Sequence, residues 1–193
     1  MSQGSQTSEA RYHPVAKALH WLMALLVAIQ FVIAWTMPDI GPHTRLGRLI
    51  SLHLTVGALI GIAALARVSW RLRHSAPGAI ATEPGWLRAG ARVSHATLYF
   101  LLLIVPLLGW AAASARGWRV TLFPGLALPA LLPRGSKSGF LAGDVHSFLA
   151  YTLLAIVGLH IAAALYHRLI LHDGVLARML PGRAIDGRNS RQR

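Results

Sequence analysis

Four runs of about twenty apolar residues constrain this chain more than anything else in it: Val15 to Thr36, Leu49 to Trp70, Val93 to Ala115 and Leu141 to Leu171. A hydrocarbon layer about 30 Å thick takes roughly twenty helical residues to cross, and no backbone polar group inside it can bond to water. The sequence therefore predicts four membrane-spanning helices instead of a water-soluble core. The opening stretch "MSQGSQTSEARY" is polar, and the apolar run after it exceeds the length of a signal-peptide centre, so it reads as an uncleaved first span. Pro106 lies in the third run, where its missing amide predicts a kink. The segment "WRVTLFPGLALPALLPRG" is also apolar, but Pro124, Pro129 and Pro133 argue against a helix and predict a loop at the membrane surface.

Charge decides between two classes. The 19 Lys and Arg against 6 Asp and Glu give +13, a balance that nucleic-acid-binding proteins also show. The basic residues sit at the edges of apolar runs, as in "ARVSWRLRH" and "YHRLILHDGVLARM", which is where membrane proteins carry them; no nucleic-acid partner is expected. Arg11, Lys17, Arg67, Arg71, Arg73, Arg88, Arg92 and five further arginines of the C-terminal tail, together with Arg168, fall on one side of the bilayer. Arg45, Arg48, Arg116, Arg119, Arg134 and Lys137 fall on the other. The more basic side is the cytoplasmic one, so both termini are expected there. Residues 1–12 and 181–193 read as disordered cytoplasmic ends, the second a basic tail, which leaves 13–180 as the membrane domain.

The spans hold histidines, and a polar side chain within lipid suggests function. The stretch "VHSFLAYTLLAIVGLHIAAALYH" carries His146, His160 and His167 on one helical face, because fourteen and seven residues are close to whole numbers of turns. His20 lies near the start of span one and His53 near the start of span two, at opposite depths because consecutive helices alternate in direction. His146 and His160 are separated by about 21 Å of helix rise. Two cross-bundle pairs follow: His20 with His160 on the inner side, and His53 with His146 on the outer side. With no cysteine, disulfides, iron–sulfur clusters, thiolate-ligated haem and covalent c-type haem are excluded. Two neutral imidazoles leave a bare divalent ion uncompensated in hydrocarbon, whereas haem brings four nitrogens and two negative charges and leaves two axial positions for histidine. An interhelical hydrogen bond is the plainer use of any single histidine.

Gly57 and Gly61 after His53, with Gly158 and Ala162 to Ala164 around His160, either clear space for a macrocycle or pack helices closely. His13, before Pro14, belongs to the start of span one, and His43, His74 and His172 lie in or beside connections. His95 and His167 lie toward the cytoplasmic ends of their spans, where each could replace a ligand, border a haem, bond a quinone or serve only the interface.

The stretches "RYHPVAKALHWLMALL", "SLHLTVGALIGIAALARVSWRLR", "SHATLYFLLLIVPLLGW" and "VHSFLAYTLLAIVGLHIAAALYH" resemble the four spans of the bacterial cytochrome b561 family, from about Arg11 to Pro181. The resemblance implies an all-α integral membrane four-helix bundle in the bacterial inner membrane, with two b-type haems between the helices. It implies axial ligands at His20, His53, His146 and His160. Stand-alone members are implied to be superoxide oxidases that reduce ubiquinone; the family also resembles cytochrome b subunits that serve a partner dehydrogenase or hydrogenase. Six basic residues against Asp39 and Asp144 in the outer connections would attract an anion such as superoxide, or lipid phosphates. Arg67, Arg71, His95 and His167, near the inner surface, are the candidates for a quinone site or an inner-haem environment.

Overall fold

In the computed structural model, residues 12–41, 43–74, 85–123 and 125–180 are described. The expectations for the two ends, apart from Tyr12, lie outside these residues. Four long helices appear where the apolar runs stand: α1 Pro14–Thr36, α2 Arg48–Arg73, α3 Gly85–Ala115 and α4 Lys137–Tyr166, the last continued by a π-helical turn, His167–Leu171. Helix α3 starts eight residues before Val93, because a membrane helix carries on past its apolar run into charged turns such as that of Arg88 and Arg92. Pro106 sits inside α3 without ending it.

Local chemistry sets the helix starts. Pro14 occupies the first turn of α1, where its missing amide costs nothing, and the His13 side chain accepts from the Val15 amide. The Ser136 hydroxyl accepts from the Gly139 amide at the start of α4. Helix α3 stops at Gly117, whose φ of 74° suits a residue without Cβ, and the Trp118 amide donates back to the Ala113 carbonyl.

The buried core is narrow. Met23 and Val27 of α1, Val56, Ile60 and Ala64 of α2, Leu101, Leu102 and Val105 of α3, and Leu153 of α4 form one cluster. Much of the remaining apolar surface faces outward, including Leu25, Val32, Phe100, Phe148 and Leu159. Only lipid makes such a surface stable, so all four helices, each long and apolar enough to cross a bilayer, are read as spans. Chain neighbours pack together, α1 on α2, α2 on α3 and α3 on α4. Among the described residues α4 makes no comparable approach to α1 or α2.

The proline-rich segment between α3 and α4 corrects the expectation of a plain loop. It holds a short antiparallel hairpin, β1 Thr121–Phe123 with β2 Leu126–Ala127, turning through Gly125 at φ 89°. Its ties are backbone and side-chain hydrogen bonds that hydropathy does not register: Thr55 Oγ1 donates to the Thr121 carbonyl at 2.6 Å, and the Trp110 indole N–H to the Pro129 carbonyl at 2.9 Å. The hairpin marks one end of the bundle; the start of α1 and the end of α4 mark the other, here called the terminus end.

Candidate functional site

The gap beside α4 is where the histidines meet. At the hairpin end, His53 of α2 and His146 of α4 face each other with ring centres 6.1 Å apart. At the terminus end, His20 of α1 and His160 of α4 do the same at 6.3 Å. Both pairs match the depth argument made from the sequence.

His146 is the better defined of the four. Its Nδ1 lies 2.8 Å from the Val105 carbonyl, so Nδ1–H donates there and Nε2 is left with its lone pair. Gly109, one turn beyond Val105, makes this approach possible: a Cβ at that position would lie 2.9 Å from His146 Cε1. His53 contrasts with it, since its Nδ1 is buried and bonds to nothing among the described residues. Gln30 of α1 lies alongside, its amide donating to the His53 carbonyl at 3.0 Å while its own oxygen is buried and unbonded. A cavity of about 760 Å³ opens between these residues, lined by His53, His146, Gly57, Gly61, Gly109 and Pro106 among others. That volume lies within the range of cofactor pockets.

The two readings of the small residues both hold in part. Gly57 lines the cavity and also makes room for the Gln30 amide, 3.2 Å from where its Cβ would be; Gly61 lines it and packs on Pro106. Gly158 opens onto free space.

The terminus-end pair has more neighbours. His95 of α3 stands 5.4 Å from His160, closer than His20 does. Arg67 donates to the Ala16 carbonyl at 3.2 Å and lies over the Tyr99 ring at 5.9 Å. Of the four residues grouped by the sequence near the inner surface, then, His95 and Arg67 flank this pair. Arg71 is exposed in the last turn of α2. His167 has its own partner, Asp173, which the sequence reading passed over; the signal was available, because acidic residues are rare here and this one follows His167 by six positions. Gln30, the one amide side chain in the first apolar run, was legible in the same way.

A metal held by two imidazoles fits both pairs. Metal–nitrogen bonds of about 2 Å put the nitrogens about 4 Å apart and the ring centres about 6 Å apart. No cluster of three or more His, Asp or Glu residues suited to a bare ion occurs among the described residues. Apolar walls, two neutral donors per site and the room left by Gly109 suit a flat macrocycle that brings its own equatorial nitrogens.

The fold defines a multi-pass membrane protein whose helix bundle brings two pairs of histidines together in a gap beside α4. Residues 11–182 match the prokaryotic cytochrome b561 family, and the chain belongs to it; it is a membrane cytochrome of the electron-transport type that binds haem b. It is 29% identical over 171 residues to "Cytochrome b561 homolog 2" of Escherichia coli K12, covering 88% of this chain and 91% of that protein. It is 30% identical over 171 residues to "Cytochrome b561 homolog 1" of the same organism, covering 86% and 94%. A match of 27% over 180 residues, 89% of this chain and 96% of the other, joins it to "Probable superoxide oxidase CybB" of Yersinia pestis.

Proposed function

We propose that this chain is a superoxide:ubiquinone oxidoreductase that holds two haems b, one between His20 and His160 and one between His53 and His146, and passes electrons from the outer face of the membrane to quinone near the inner face. The observation that carries the reading is the pair of imidazole pairs, 6.1 and 6.3 Å between ring centres, set at opposite ends of one helix. His20 with His160, and His53 with His146, would hold the haems, which would supply one-electron carriers there. The protein's own part is to orient the rings, as Val105 does for His146, and to keep water from the gap with apolar helix faces.

The hairpin end suits an anionic donor. A pocket of about 570 Å³ there is lined by Arg45, Arg116, Arg134 and His43, with no carboxylate among the described residues of its wall. Arg116 lines both this pocket and the larger cavity beside His53 and His146. Its guanidinium is fixed by the Gly41 carbonyl at 3.1 Å and by the Trp118 and Phe140 rings. Basic walls of this kind raise the encounter rate of a small anion. The name carried by the Yersinia pestis relative supports superoxide as that anion. The excess of Lys and Arg on the terminus side supports cytoplasmic termini in the bacterial inner membrane.

The test is purification in detergent, haem extraction with a reduced-minus-oxidised spectrum, and a superoxide pulse with ubiquinone present. Two haems b per chain are expected, with one quinol formed for every two superoxide consumed. A colourless protein, or a haem protein inert to superoxide yet reduced by a co-purifying dehydrogenase or hydrogenase, overturns the reading; the second outcome makes it that enzyme's electron-transfer subunit.

A further inference from the structure

We propose that Gln30 is the positioning residue of His53: its amide oxygen takes the hydrogen bond from His53 Nδ1–H when a haem iron is held on Nε2, and so lowers the reduction potential of the hairpin-end site. The inference rests on the functional reading above, which makes His53 a ligand, and deepens it. Its observations are two buried polar atoms of opposite kind on side chains that meet in the same cavity wall.

Helix α1 holds a single side-chain amide, Gln30, between Ile29 and Phe31. A polar group among apolar neighbours in a membrane span is costly when it faces lipid, and this one faces α2. Its Nε2 donates to the His53 carbonyl at 3.0 Å, and both residues line the cavity of the hairpin-end pair. Gly57, one helical turn after His53, leaves the room for that approach, since a Cβ there would lie 3.2 Å from Gln30 Nε2. The amide is therefore clamped to the backbone of the turn that carries the imidazole.

The clamp fixes which way the amide points. Turned over, it would set its oxygen against the His53 carbonyl oxygen, two acceptors face to face, so the nitrogen belongs on the carbonyl and the oxygen points elsewhere. That oxygen is buried and has no partner among the described residues, and the same holds for His53 Nδ1. A clasp between α1 and α2 accounts for the Gln30 nitrogen alone. It leaves two buried polar atoms unbonded, which proteins rarely tolerate.

Ligation accounts for both. A neutral imidazole carries one N–H, so a metal on Nε2 places the hydrogen on Nδ1 and makes it a donor that needs an acceptor. On the partner ring the Val105 carbonyl fills that need for His146. On His53 the orphan donor stands next to an orphan acceptor, the Gln30 oxygen. The last torsion of a glutamine side chain is soft, so the amide tilts toward the ring while its nitrogen stays with the carbonyl. An acceptor on Nδ1–H raises the basicity of Nε2, and a more basic ligand favours ferric over ferrous iron. In the outer-to-inner direction proposed above, a lower potential at this site favours release of the electron toward the His20 and His160 pair.

The test is a potentiometric titration of the full haem-loaded chain followed in the visible spectrum, with His53→Ala marking which of the two midpoints belongs to the hairpin-end haem. Gln30→Met is expected to raise that midpoint by about 59 mV, a roughly tenfold change in a one-electron equilibrium, and to leave the other in place. Gln30→Asn keeps an amide but is one methylene too short, and is expected to shift the same midpoint the same way. Gln30→Glu keeps the length and an oxygen acceptor, and is expected to leave the midpoint at or below the parent value. An unchanged midpoint in Gln30→Met, an equal shift of both midpoints, or a rise in Gln30→Glu as large as in Gln30→Met overturns the proposal. So does a parent value in Gln30→Asn, which assigns the effect to local polarity alone. If one variant fails to load the hairpin-end haem the others carry the comparison, and its loss in all three assigns Gln30 to assembly and overturns the proposal. A parent without two haem midpoints, or a His53→Ala variant that keeps both, fails the functional reading itself and is told apart by that result.

Discussion

Each nitrogen of His146 has a separate task. Nδ1 is spent on the Val105 carbonyl, and Nε2 keeps its lone pair on a ring whose centre lies 6.1 Å from that of His53. That division depends on Gly109, where any side chain would meet the imidazole. Gly109→Ala is expected to displace His146, cost about 1–3 kcal/mol as an overpacked site does, and empty the hairpin-end haem site; the haem-to-protein ratio should fall toward one. The crowded terminus end makes a sharper test. His160 faces both His20 at 6.3 Å and His95 at 5.4 Å, and the first separation matches the other pair. His160→Ala and His20→Ala should each lose one haem, whereas His95→Ala should keep two and shift the potential of one. Two haems surviving in His20→Ala would transfer the ligand role to His95. Sequence spacing alone could pair His20 with His160 by depth, but it could not see that a third ring comes as close.

At the scale of elements, the four helices follow from hydropathy because lipid leaves the backbone few alternatives, and their predicted bounds differ mainly where charged turns extend them. What hydropathy missed is polar: the hairpin between α3 and α4, and the strap of residues 172–180 that turns back after α4 onto Lys17 and Trp21. Both are held by hydrogen bonds between residues far apart in the chain, such as Trp21 to Met179, for which no local pattern codes. The strap carries its own pH dependence. Partial burial works against the charge on Asp173, but the hydrogen bonds from His167 and the Val175 amide outweigh it and hold the carboxyl below its ordinary range. A carboxyl depressed on folding contributes stability above its unfolded pKa of about 4 and loses it as pH falls through the lower folded value. Amide exchange over residues 174–180, corrected for intrinsic rates, should therefore accelerate only below about pH 4 in the parent. In Asp173→Asn it should be fast already at neutral pH.

For the whole molecule, the outer charge pattern resolves into a place. Six basic residues counted along the sequence become three arginines around one pocket that shares Arg116 with the cavity of the hairpin-end pair, while Asp39 and Asp144 line that cavity instead of the pocket. If the pocket steers an anion, superoxide-driven haem reduction should slow as salt rises from 0.01 to 0.15 M, where the screening length shrinks from about 30 to about 8 Å. Arg45→Gln with Arg134→Gln should slow it about tenfold at low salt and flatten the salt dependence. A rate indifferent to both would remove steering from the mechanism. Hydropathy and helix spacing are enough for the number of spans, the common face of His146, His160 and His167, and the depths of His20, His53, His146 and His160, because helix periodicity and membrane thickness are local rules. Helix packing had to supply how closely the paired rings approach, which nitrogen of His146 is bonded, that His95 crowds His160, and that Asp173 turns back onto His167. Each of these depends on the relative rotation and separation of helices and on where the chain reverses, set by packing at Gly109 and Gly61 and by hydrogen bonds across the bundle, and no single segment carries that information.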